Sequence, residues 1–196
     1  MQGKNIEDIY QLSPMQKGML FHFLFDPASE AYFEQISCTI TGPLDEARFR
    51  TAWENVIRDH PVFRTSFHWR NMEKPLQVVH RQVAVPWQSM DWSEVTAADQ
   101  EEKLEAFLIA DRKKGFSLKD APVMRFTLIR FGPAKYRFIW SHHHILIDGW
   151  SIAFVFHEVF RYYKGRAVDQ EPRLPGLYRN YISWFQDRDH QRAKEY

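Results

Sequence analysis

Residues 136–163 read Tyr-Arg-Phe-Ile-Trp-Ser-His-His-His-Ile-Leu-Ile-Asp-Gly-Trp-Ser-Ile-Ala-Phe-Val-Phe-His-Glu-Val-Phe-Arg-Tyr-Tyr, and the apolar period changes partway along them. Tyr136, Phe138 and Trp140 alternate with Arg137, Ile139 and Ser141, which is the period of a strand. Apolar residues on both of its faces predict an interior position. From Gly149 to Tyr163 the pattern becomes apolar nearly all round, through Trp150, Ile152, Phe154, Val155, Phe156, Val159 and Phe160, and this predicts a largely buried helix. A strand that hands over to a helix through a polar loop is the arrangement of an α/β fold, and functional sites gather at such junctions.

The rest of the chain fits the same class. Upstream, Met124, Phe126 and Leu128 alternate as a strand, and so do Ile36, Cys38 and Ile40 before Gly42-Pro43 ends the run. Phe49, Ala52, Trp53, Val56 and Ile57 lie at helical spacing behind Asp45 and Glu46 and predict a helix ending near His60-Pro61. Val62 to Trp69 and Leu76 to His80 read as strands around a Met72 to Pro75 turn. Thr96 to Lys114 reads as a helix that buries Leu104, Phe107, Leu108 and Phe116. Ser13-Pro14 caps and opens another helix, with Met15, Met19, Leu20 and Phe23 on its apolar face. Leu177 to Tyr196 has Tyr178, Tyr181, Trp184 and Phe185 at helical spacing, then turns polar without a capping residue, as a chain cut from a longer protein would. The expected fold is a mixed β-sheet covered by helices.

Composition narrows the function. The 196 residues, 44% hydrophobic and 16% aromatic, suit one globular unit or part of a larger one. Cys38 is the single cysteine, which excludes a disulfide scaffold and favours a reducing compartment. Lys and Arg number 26 against 25 Asp and Glu, so there is no basic field to attract nucleic acid or an acidic membrane. Apolar runs fall far short of the roughly 20 residues of a membrane helix, and residues 1–8 lack a secretory layout, so the cytoplasm is expected.

Three chemical readings compete for Ser141 to Ser151. As a metal site, the histidines fail to converge, because side chains alternate along a strand; at most His142, His144 and Asp148 could meet. As a hydrolase, Gly149-Trp150-Ser151-Ile152-Ala153 approaches the G-x-S-x-G elbow around a nucleophilic Ser151 but lacks its last glycine. As a transferase, one histidine at the strand end takes a proton from an attacking amine or alcohol, and an aspartate four residues on fixes the loop. The last reading is preferred over a plain one in which Asp148 only caps the helix and the histidines are core residues. Arg64, an arginine in an apolar stretch, would need a carboxylate, and Asp148 is the expected partner.

At these residues the chain resembles the condensation domains of nonribosomal peptide synthetases, whose HHxxxDG motif is matched by His143, His144, Asp148 and Gly149. Leu12 to His22 resembles the opening motif of that family, Val62 to Thr65 its second, and Tyr178 to Trp184 its fourth, with Asn180 where an acidic residue is usual. Related acyltransferases of the chloramphenicol acetyltransferase type share the HxxxD core. The resemblance implies a chloramphenicol acetyltransferase-like lobe, with residues 1–196 as the N-terminal lobe and the C-terminal lobe absent. It also implies that the lobe alone folds but is inactive or nearly so. His144 would be the catalytic histidine, His143 its support, Asp148 a structural aspartate paired with Arg64, and Gly149 a close-approach glycine. The implied reaction joins an acceptor amine to a donor thioester. Both substrates hang from 4'-phosphopantetheine arms of donor and acceptor carrier proteins, with no cofactor or metal bound by the lobe itself. The opening motif and His143 to Trp150 look like the subtype that takes a D-configured donor. Residues 1–12, in particular Ile6 to Tyr10, resemble an acceptor docking segment for an upstream synthetase. A docking module without turnover and an epimerisation domain of the same fold are the rival readings.

Overall fold

The computed structural model describes residues 5–27, 29–165 and 178–186. Among the described residues, seven strands and five α-helices follow in the order β1 (Ile6–Gln11), α1 (Pro14–Phe25), β2 (Phe33–Thr41), α2 (Glu46–Asp59), β3 (Thr65–His68), β4 (Leu76–His80), β5 (Trp87–Asp91), α3 (Ala97–Lys114), β6 (Met124–Gly132), β7 (Lys135–His143), α4 (Gly149–Tyr163) and α5 (Tyr178–Gln186). The strands form two sheets, one ordered β2-β7-β6-β5 and the other β1-β4-β3. The larger sheet is mixed: β7 runs antiparallel to both β2 and β6, while β5 runs parallel to β6. The class expected from the period change therefore holds, and β7 is the interior strand that its two apolar faces predict.

The two faces of β7 explain the layering. Phe138 and Trp140 point toward α2, where Trp53 meets Phe126, Phe138 and Trp140 with ring centroids 4.7, 5.4 and 4.9 Å apart. Ile139, one residue out of phase, joins Ile129, Phe131 and Leu104 in a second apolar cluster against α3. On that side Asp111 of α3 accepts from Ser141 Oγ at 2.5 Å and from Gln35 Nε2 at 2.8 Å and pairs with Arg125 Nε at 2.5 Å. These contacts bolt the helix to β2, β6 and β7.

The structure corrects several local expectations. Val62 to Trp69 is not one strand: Pro61–Arg64 is a 3-10 turn, and pairing starts only at Thr65. Proline at its first position fixes φ and removes a donor, which suits a helical turn and not a ladder. Ile6–Gln11, where no strand was expected, is strand β1, with Tyr10 opposite Gln77 of β4; residues 1–4 lie outside the described residues. β5 escaped notice because Trp-Gln-Ser-Met-Asp has no clear alternation. Phe107, Leu108 and Phe116 are only half-buried. The helix α4 buries Val155 and Val159 but leaves Trp150 88% and Phe154 75% exposed, so its all-round apolar surface does not signify full burial. Of the predicted C-terminal helix, Tyr178–Gln186 is seen and the remainder lies outside the described residues.

Candidate functional site

The three histidines leave β7 in three different environments. His142 lies opposite Glu34 of β2 and Met124 of β6, 1% exposed, with its ring 4.6 Å from Trp140. Neither of its ring nitrogens has a partner, and burial, with the neighbouring His144 and His143, lowers its pKa to about 4. His143 turns the other way, 4% exposed, between Phe23 and Tyr32. Its Nδ1 accepts from Ile145 N at 3.1 Å, so the neutral ring carries its proton on Nε2, which is buried without a partner. Burial and His144 lower this pKa too, to about 4. Both rings are therefore uncharged near neutrality and serve as packing and loop support.

His144 is different. Its side chain is 30% exposed, and its backbone N–H donates to Tyr32 O at 2.8 Å. Its ring stacks on that of Tyr32, with centroids 6.4 Å apart and 19° between planes. Its Nδ1 lies 3.5 Å from Glu34 Oε1. A partly exposed imidazole backed by a carboxylate can accept a proton and pass it on.

The loop that follows is held from below. Gln16, 4% exposed at the start of α1, donates through Nε2 to Ile145 O at 3.2 Å and accepts from Ser13 N and Gln77 Nε2, both at 3.0 Å. With Ser13 Oγ accepting from Gln16 N it forms a capping box. One buried amide therefore ties the opening motif, strand β4 and the histidine loop together.

Asp148 and Arg64 do not meet. Asp148 is exposed and caps α4: its Oδ1 accepts from Ser151 N at 3.0 Å and Ser151 Oγ at 2.8 Å. The same bonds hold its carboxyl below the ordinary 3.8. Arg64, 5% exposed, gives Nη1 to Glu7 Oε2 at 2.6 Å and to the carbonyl of His80. The reason is local. The unpaired N–H groups of a helix start satisfy Asp148 at once, whereas Arg64 enters β3 beside the end of β4 and the irregular stretch of β1 that contains Glu7. Ser151 is the donor to that cap, not a nucleophile poised on a turn. Apart from its chain neighbours and its own helix backbone, nothing among the described residues lies within 4 Å of where a Cβ on Gly149 would stand. The described residues contain no group of three His, Cys, Asp or Glu suited to a metal. Tyr32, Glu34 and Gln16 were not singled out as site residues by sequence reading; only the register of β2 against β7, Phe33 opposite His143, brings the first two to His144.

Comparison with known proteins gives the family. Residues 6–196 match the model of the condensation-domain family. The chain is 41% identical over 194 residues to one of the linear gramicidin synthase proteins of Brevibacillus parabrevis, covering 98% of this chain and 2% of that protein. It is 43% identical over 197 residues to one of the plipastatin synthase proteins of Bacillus subtilis (strain 168), covering 100% of this chain and 8% of that protein. Among solved structures, the starter condensation domain of rhizomide synthetase RzmA superposes with a TM-score of 0.80 at 21% identity, over 96% of this chain and 48% of that one. This chain belongs to the condensation-domain family, and its fold is chloramphenicol acetyltransferase-like. It spans a small fraction of the length of the curated synthetases it matches and about half of the solved domain.

Proposed function

We propose that this chain is the histidine-bearing, N-terminal lobe of a condensation domain that forms a peptide bond between two carrier-bound substrates. The observation that carries the reading is the contrast within one tripeptide: His142 and His143 are buried and neutral, whereas His144 reaches solvent with Glu34 behind it. The acceptor's α-amine attacks the donor's thioester carbonyl, a C–N bond forms, the C–S bond breaks, and His144 passes the amine proton to the departing sulfur. An α-amine has a pKa of about 8, so a useful fraction is already neutral near pH 7, and placing it matters more than deprotonating it. Orientation supplies roughly 7–11 kcal/mol, against about 10²–10⁴-fold from a histidine acting as base. His143 supports the loop, Asp148 caps the helix that ends it, and Arg64 braces the smaller sheet. The 4'-phosphopantetheine arms of donor and acceptor carrier proteins bring the substrates. Residues 1–12 meet an upstream synthetase along the strand β1.

The exposed Trp150 and Phe154, in the first two turns of α4, are the surface against which we expect a C-terminal lobe to close the site, and without that wall the lobe is inactive or nearly so. The test is the intact mass of a loaded acceptor carrier after mixing with a complete domain containing this lobe and a donor carrier bearing a D- or an L-aminoacyl group. A dipeptidyl mass is expected, favouring the D-donor. His144→Ala should lower the rate by about 10²–10⁴-fold. No mass gain from loaded carriers would instead favour docking or epimerisation, and wild-type turnover by His144→Ala would make that histidine a bystander.

A further inference from the structure

The turn that feeds β2 has an unsuitable residue for its backbone. Phe33 N donates to Glu30 O at 3.1 Å, closing a four-residue turn whose third position, Tyr32, has φ 66°. Turns with positive φ at that position ordinarily take glycine or asparagine, and a bulky side chain in the left-handed region is a marked exception. Among the described residues the other such non-glycine position is Asn71, whose residue type tolerates it. A tyrosine persists in this conformation only where its surroundings hold it, and strained residues of that kind cluster at functional sites.

The surroundings of Tyr32 are the histidine loop. Its carbonyl accepts the His144 N–H at 2.8 Å, and its ring lies 6.4 Å from His144 at 19°. The same ring lies 6.2 Å from His143 at 36° and 5.9 Å from His22 at 49°. Glycine would make the turn with less strain and keep the carbonyl, but it would remove the ring that lies alongside His144. What a tyrosine adds at this position is its ring.

We propose that Tyr32 is a positioning residue for His144, its strained backbone aiming the ring so that the imidazole plane is fixed, with Nδ1 toward Glu34 and Nε2 toward the reacting amine. The inference rests on the reading of His144 as the catalytic histidine, and the experiment separates the two. Tyr32→Gly, Tyr32→Asn, Tyr32→Phe and His144→Ala are compared in two settings. Histidine ring C–H resonances and thermal unfolding are followed in this chain, and turnover is measured in the complete domain. Tyr32→Gly and Tyr32→Asn should keep or raise Tm, by about 2–4 °C where strain is relieved. Both should lose the ring-current shift of the His144 resonances and lower turnover by about 100-fold. Tyr32→Phe should restore the ring-current shift and the turnover. Wild-type turnover in Tyr32→Gly with His144→Ala inactive overturns the role of Tyr32 alone. Unimpaired His144→Ala overturns the catalytic reading, while the ring-current shift still decides whether Tyr32 holds that ring. A drop in Tm that accounts for the lost turnover makes Tyr32 merely structural and overturns the proposal.

Discussion

Asp148 and Arg64 show how two oppositely charged residues from neighbouring motifs can each be satisfied without the other. An exposed aspartate at a helix start finds backbone donors within three residues, so its loss costs what a cap costs, about 1 kcal/mol. A buried guanidinium has no such local remedy. Arg64→Ala removes the partner of Glu7 and of the His80 carbonyl from a site 5% exposed and should cost about 3 kcal/mol. Urea unfolding of both single variants and the double variant tests this directly. The effects should add; a double variant no worse than Arg64→Ala alone would mean that the two residues act as a pair. The sign of the pH dependence follows from the cap. The Asp148 carboxyl is held below its ordinary 3.8, so its contribution is present above that value and is lost as pH falls through the lowered one.

At the scale of the element, the strand β7 shows which parts of the structure were legible in the chain. Its alternation is strong because both faces are packed, and from it follow the sheet, the loop and the helix beyond. Alternation also predicts that consecutive histidines part company, as His142 and His143 do. Partners further apart were not legible: nothing in Ile6–Gln11 or Trp87–Asp91 alternates well enough to announce a strand, because β1 and β5 are edge strands with polar residues on one or both faces. The meeting of Arg64 with Glu7, or of His144 with Tyr32 and Glu34, depends on register between strands, which single-chain periodicity does not carry. The separation of the histidines has a measurable consequence. His142 and His143 ionise at about 4 in the fold against 6.5 ordinarily, so between those values the unfolded chain holds more protons. Stability is full above 6.5 and falls toward 4, by about 1.4 kcal/mol per pH unit for each ring. His68 and His80, also lowered by burial, add to the slope. Because both nitrogens of His142 lack partners, His142→Phe keeps the stack on Trp140 and removes one titrating group. It should stabilise the protein by about 2 kcal/mol more at pH 5 than at pH 8 in urea unfolding. An equal effect at both would show that His142 is not held neutral.

For the whole molecule, the deciding feature is the apolar surface that the fold leaves uncovered around the site. Trp150 is 88% and Phe154 75% exposed on α4, four residues apart and so on one face; Phe21 at 61% and Phe25 at 78% form a stacked pair on α1. Single exposed apolar residues are ordinary, but large rings grouped on the helices that flank a histidine loop mark a contact surface. Under the proposed function the occupant is a C-terminal lobe of the same domain. Magnitude then decides how the lobe behaves alone. Burying a large apolar side chain is worth about 1.5–3 kcal/mol, so Trp150 and Phe154 together give a few kcal/mol, while association costs about 4–15 kcal/mol or more. A second copy of the lobe should therefore be held weakly, and a second lobe supplied in the same chain, free of that cost, should be held well. Sedimentation of this chain should show concentration-dependent association that Trp150→Ser with Phe154→Ser abolishes without lowering Tm. A C-terminal lobe added as a separate chain should compete with it. A strictly monomeric lobe that also ignores the added partner would mean that these rings face solvent for another reason and that the site is closed from elsewhere.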